Sequence, residues 1–143
     1  MKIVVCGSMA FAKEMITVKK HLEDQGHVVI VPELVKKFLK YKQWQLRAKR
    51  GGGKEGARLK KRYDLIKKHY EKIKDADAIL VLNYDKKGIK NYIGGNSFLE
   101  MGFAYILGKK IYLLNEIPKA SLYFEEIMAM EPITLKGDLS KLN

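Results

Sequence analysis

Short apolar runs alternate with stretches of helical spacing along the whole chain. Residues 2–6 are apolar and β-branched, and read as a first strand. Phe11, Met15, Val18 and Leu22 then recur at i, i+4, i+7 and i+11, one face of a helix that Gly26 ends. His27 to Val31 is a second strand, closed by Pro32. Residues 33–46 have helical spacing, with Leu34, Phe38 and Tyr41 or Leu46 facing inward. Leu59, Tyr63, Ile66, Tyr70 and Ile73 form the next helical stripe, with Asp64 and His69 beside it and off the core face. Asp77 to Asn83 is a continuous apolar run, the mark of a parallel strand buried on both faces. Phe98, Met101, Ala104, Tyr105 and Leu107 return to helical spacing, and Gly108 is placed to end that helix. Lys110 to Asn115 is a fourth strand, Leu122 to Met128 a short helix, and Glu131 to Leu135 a fifth strand. The alternation predicts an α/β fold over residues 1–143. It is one domain with a doubly wound, Rossmann- or flavodoxin-like sheet of about five mainly parallel strands flanked by helices.

In such a sheet, ligands bind at the carboxyl edge. Three polar turns fall there. The first, Gly7-Ser8-Met9, can present a hydroxyl and free N–H groups, and is also an ordinary turn and helix cap. The second runs from Asn83 through Asp85 to Tyr92, long and polar for an α/β connection, which favours a functional loop. The third is Gly94-Gly95-Asn96-Ser97, where glycines let backbone approach a ligand and Asn96 or Ser97 can cap the helix. Glu100 lies one turn in. Ser97-x-x-Glu100 has the spacing of a capping box, with the carboxylate folded back on the cap, and equally places a carboxylate at the mouth of the site.

Composition narrows the classes. No run of 18 apolar residues exists, so no membrane-spanning helix is expected. One cysteine excludes an intrachain disulfide and fits a cytoplasmic protein. Three scattered histidines and that cysteine lack metal-ligand spacing, so no metal is expected. The dinucleotide and phosphate-loop glycine fingerprints are absent. The net charge of +12 is uneven: residues 36–74 hold sixteen Lys/Arg against Glu55, Asp64 and Glu71. That segment points to anionic partners, either the phosphate of a small molecule or a nucleic-acid backbone, or to a solvated face. No aromatic–basic interleaving favours nucleic acid. Within it, residues 47–58 read as a flexible, basic, glycine-rich loop, and Trp44 as core or as an aromatic wall for a base.

The chain resembles the nucleoside 2-deoxyribosyltransferase-like superfamily, which includes deoxynucleoside 5'-monophosphate N-glycosidases. The resemblance rests on the opening strand with Gly7-Ser8, the His- and Lys-rich helix before Ala76-Asp77-Ala-Ile-Leu-Val, and the Gly95-Asn-Ser-x-x-Glu-Met-Gly-x-Ala104 block. It implies that Glu100 is the nucleophile at the anomeric carbon, that Ser97 contacts sugar or phosphate, and that Gly7 and Ser8 line the same pocket. It further implies Asp85 as the loop aspartate beside the reacting sugar and a nucleoside or nucleotide substrate. No cofactor is implied, and assembly would be a homodimer or larger oligomer. Asn83, Met9, Tyr92, Gly95 and Asn96 would complete the binding site, with His69 and Trp44 as further candidates. The Gly94–Glu100 string is also similar to that of cytokinin-type phosphoribohydrolases, one residue shorter and without the proline. Both resemblances imply cleavage of N-glycosidic bonds. The other readings are a non-catalytic nucleotide-binding module and nucleic-acid binding through residues 36–74.

Overall fold

A computed structural model describes residues 1–42 and 53–143. Five parallel strands make one sheet: β1 (Lys2–Gly7), β2 (Val28–Ile30), β3 (Ala78–Leu82), β4 (Lys110–Leu113) and β5 (Ile133–Thr134), in the order β2-β1-β3-β4-β5. The helices are α1 (Ala12–Asp24), α2 (Val35–Lys40), α3 (Gly53–Arg62), α4 (Leu65–Lys74), α5 (Gly95–Ile106) and α6 (Phe124–Ala129). This is the doubly wound α/β architecture, and its strand order reverses between β1 and β3.

Strand alternation decides what each helix layer meets. Ile3, Val5, Leu80 and Leu82 pack with Met15, Val18 and Leu22 of α1 and with Leu135 and Leu142 of the C-terminal stretch. Val4, Cys6, Ile79 and Val81 pack on the other face with Ile73 of α4, Met101 and Ala104 of α5 and Ile127 of α6. Cys6 therefore points at the layer that carries α4 and α5. Among the described residues no helix is long and apolar enough to cross a membrane.

Three local expectations change. The stripe from Leu59 to Ile73 is two helices, because Asp64 adopts the left-handed conformation (φ 49°) between α3 and α4. Aspartate is among the few side chains that tolerate it. The break turns Ile66 outward and His69 inward: Ile66 is exposed, whereas His69 is 8% exposed. Residues 53–58, expected in a glycine-rich loop, begin helix α3, while residues 47–52 and Trp44 lie outside the described residues. The capping box is absent. Gly94 is the N-cap of α5 and has no side chain to offer, so Ser97 sits inside the first turn and Glu100 is free to turn elsewhere.

Candidate active site

The carboxyl ends of β1 and β3 flank a cavity of about 530 Å³. Gly7, Ser8 and Met9 line it from the β1 turn, and Gly94 to Ser97 with Glu100 line it from the start of α5. His69 and Lys72 enter from α4, Lys60 from α3, and Lys86 and Tyr92 from the loop after β3. Phe38, Leu59, Leu65 and Phe103 supply apolar wall. Among the described residues, six charged side chains face this space besides His69: Lys60, Lys68, Lys72 and Lys86 against Glu33 and Glu100. Lys68 pairs with Glu33 at 3.6 Å, which leaves the excess positive around Glu100.

Glu100 forms the floor. Its side chain is 18% exposed, and Oε1 lies 3.4 Å from His69 Nε2. The Cys6 thiol, fully buried, lies 3.6 Å from the same nitrogen and within 4.8 Å of the carboxylate. Burial raises the Glu100 pKa to about 7, and the neighbouring Cys6 thiol and the Lys60 charge oppose that rise. Burial, with the nearby Lys72 charge, lowers His69 to about 4. Burial first, then Glu100, pushes the Cys6 thiol well above its ordinary value. Near neutral pH the cluster is therefore a neutral imidazole, a thiol, and a carboxyl close to its midpoint. The Glu100–His69 contact is not an ion pair there.

The rim is organised to meet an anion. The first-turn N–H groups of α5 lack a side-chain cap and face the cavity, where the helix dipole favours negative charge. Lys60 donates to Asn96 Oδ1 (2.7 Å) beside them. Lys86 donates to Ser8 Oγ (2.6 Å) and lies 5.1 Å from the centre of the Tyr92 ring. Burial lowers the Lys86 pKa, so an anion beside it would restore what the fold withdraws. A tight turn holds Lys86 in place: it pairs with Ile89 across Lys87 (φ 52°) and Gly88 (φ 72°), both in the left-handed region of a primed hairpin turn. Gly94 has a steric reason of its own. A Cβ there would meet the Tyr92 hydroxyl at 2.9 Å.

The structure gathers Gly7, Ser8, Met9, Tyr92, Gly95, Asn96, Ser97, Glu100 and His69 around one cavity. It uses Asn83 and Asp85 otherwise. Asn83 is fully buried, its Oδ1 accepts from Asn115 N (2.8 Å) and its Nδ2 donates to the Glu116 carbonyl (2.9 Å), tying the ends of β3 and β4 together. Asp85 is exposed and accepts from Asn91 N (2.9 Å), closing its own loop. Neither lines the cavity. Sequence reasoning missed Cys6, Lys60 and Lys86. Cys6 left one usable signal, its place near the carboxyl end of a buried strand. The two lysines left none beyond membership of a basic segment or a polar loop.

No family model matches the chain, and no curated protein matches its sequence. Among solved structures, the CMP N-glycosidase BcmB of Clostridium botulinum matches at a TM-score of 0.50 and 16% identity, over 94% of this chain and 85% of that chain. The two share a fold. At that identity the likeness carries no residue's role across.

Proposed function

We propose that the protein cleaves the N-glycosidic bond of a nucleoside 5'-monophosphate, with Glu100 as the nucleophile at C1'. The observation that carries this reading is a buried carboxyl at the floor of a lysine-rimmed cavity, beside the uncapped start of α5. The sugar would lie over Glu100, and the phosphate would meet Lys86, Ser8 or the first turn of α5. As the bond from C1' to the base breaks, the base leaves with the bonding pair and takes a proton from solvent, and a Glu100 oxygen bonds to C1'. Water, or a second base in an exchange reaction, then releases the sugar and returns the carboxylate. His69, neutral at working pH, positions the carboxylate without neutralising it. The solved neighbour is itself named for cleavage of CMP, which agrees with the class of bond.

Binding of nucleic acid through residues 36–74 is less well supported, because Lys60, Lys68 and Lys72 of that segment turn toward the cavity. A homodimer is also part of this proposal. Phe98, Leu99, Gly102, Phe103, Ile106 and Tyr123 line an apolar groove on the outer side of α5, and Gly95, Leu99 and Phe103 border the cavity as well.

The test is a chromatographic assay for free base with ribo- and deoxyribonucleosides and their 5'-monophosphates. Monophosphates should be cleaved in preference to nucleosides, and Glu100→Gln should release none. Base release by Glu100→Gln at the wild-type rate would rule this mechanism out. Saturable nucleotide binding without release by the wild type would favour a binding module.

A further inference from the structure

Cys6, His69 and Glu100 come from β1, α4 and α5, and their donor atoms all lie within 4.8 Å of one another. The thiol sulfur is 3.6 Å from His69 Nε2, and that nitrogen is 3.4 Å from Glu100 Oε1. Zinc bonds sulfur at about 2.3 Å, imidazole nitrogen at about 2.0 Å and carboxylate oxygen at about 2.1 Å. Around a tetrahedral ion those lengths place sulfur and nitrogen about 3.5 Å apart, and nitrogen and oxygen about 3.3 Å apart. The two separations from His69 Nε2 thus match two edges of a tetrahedral ligand set, and the third, from sulfur to the carboxylate oxygen, is at most 4.8 Å. Thiolate, imidazole and carboxylate together suit zinc and exclude the all-oxygen preference of magnesium and calcium.

The surroundings agree. The cavity, lined by His69 and Glu100, gives an ion a path in and leaves a fourth position open toward it. Lys60 and Lys72 border the cavity and would repel a cationic complex. A thiolate and a carboxylate cancel the two charges of the ion, so the complex presents no net charge to them. The sequence spacing hides the trio, since its members are 63 and 31 residues apart.

We infer that Cys6, His69 and Glu100 form a binding site for a zinc-like divalent cation, and that the bound ion inhibits base release by occupying the Glu100 carboxylate. On binding, Cys6 releases its thiol proton to solvent, Glu100 releases any proton it holds, and nothing is oxidised or reduced. The inhibition rests on the function proposed above, whereas the binding does not.

The experiment uses the full chain, stripped with chelator and desalted, and titrated with cobalt(II) as an optical probe and then with zinc. One equivalent of cobalt should give tetrahedral absorption bands with a thiolate-to-metal charge-transfer band, and zinc should bleach both. Cys6→Ala should lose the charge-transfer band, and both it and His69→Gln should bind zinc at least about 100-fold more weakly. The remote His21→Gln should bind as the wild type does. Absence of the charge-transfer band in the wild type overturns the site whether or not the variants fold. Unchanged zinc affinity in folded Cys6→Ala and His69→Gln overturns it too. In the base-release assay, activity should fall in proportion to zinc occupancy, and full activity at full occupancy overturns the inhibition. Zinc binding by a protein that releases no base from any nucleotide, even when stripped of metal, counts against the proposed function alone.

Discussion

Glu100 carries a charge in a place that disfavours one, and the two consequences can be separated. Burial raises its pKa from 4.5 to about 7. The folded state therefore prefers the protonated form more strongly than the unfolded state does. That preference adds stability at pH below the unfolded value and is lost as pH rises through about 7. Glu100→Gln keeps the neutral shape, so at pH 8 it should be more stable than the wild type by up to about 3 kcal/mol. Denaturant titrations at several pH values should show the gap shrinking between pH 7 and 4.5. A destabilised Glu100→Gln at pH 8 would instead mark a structural carboxylate. The same substitution should lower base release by about four orders of magnitude or more. Attack needs the carboxylate, so in chelator, where Glu100 is free of metal, kcat should rise with pH through about 7. A flat profile from pH 5 to 9 (roughly two units either side) would remove Glu100 as the ionising nucleophile.

Among single residues, Lys86 gives the sharpest test of what the rim binds. Its ammonium sits between Ser8 Oγ and the Tyr92 ring. A charge-assisted bond to a phosphate is worth about 1.5–3 kcal/mol. Lys86→Ala should therefore raise KM for a 5'-monophosphate by about tenfold or more, with little change for the unphosphorylated nucleoside. Equal losses on both substrates would move the phosphate away from this end of the cavity.

At the scale of elements, the start of α5 does the positioning. Its cap is a glycine, so the first-turn N–H groups stay available and the Tyr92 hydroxyl can lie against the backbone. Gly94 has φ −82°, an ordinary value, so alanine there is not strained by its backbone. The obstacle is the tyrosine at 2.9 Å. Gly94→Ala should push the ring and the Lys86 above it out of place, raising KM more than it lowers kcat, and Tyr92→Phe in the same background should recover part of the loss. An unchanged KM would show that the ring does not position substrate.

The elements also show what the residue pattern can and cannot tell. Strands β1, β3 and β4 and helix α1 were legible, because burial on both faces or along one stripe writes a period that nothing local disturbs. The capping-box spacing misled, since S-x-x-E describes a helix start only if the serine is the cap, and here the helix begins at Gly95. The stripe in α3 and α4 misled for a different reason. A single left-handed residue, Asp64, rotates everything after it, and His69 moved from the predicted surface into the site. Gly95, Asn96, Ser97 and Glu100 of the Gly95–Ala104 block line the cavity. The Cys6 position near the carboxyl end of a buried strand was legible, but its partners His69 and Glu100 were not, because they are set by sheet order and by the helix break at Asp64.

For the whole molecule, the reversal of strand order between β1 and β3 explains why distant turns meet at one cavity. It does not explain the apolar outer side of α5. Ile106 is 82% exposed and Leu122 92% exposed, and the groove between α5 and Tyr123 runs into the cavity through Gly95, Leu99 and Phe103. A second copy related by a two-fold axis would cover both grooves at once, so that Ile106 is buried in both subunits and a substitution there counts twice. Burying one such side chain is worth about 1.5–3 kcal/mol, so Ile106→Lys should weaken a symmetric dimer by roughly two to four orders of magnitude. Light scattering at micromolar concentration should then give a dimer for the wild type and a monomer for Ile106→Lys. If the groove also closes the cavity, the monomeric variant should show a raised KM while keeping its fold by circular dichroism. A wild-type monomer under those conditions would leave the groove without a partner of its own kind. A monomeric variant with wild-type KM would mean that each subunit builds its site alone.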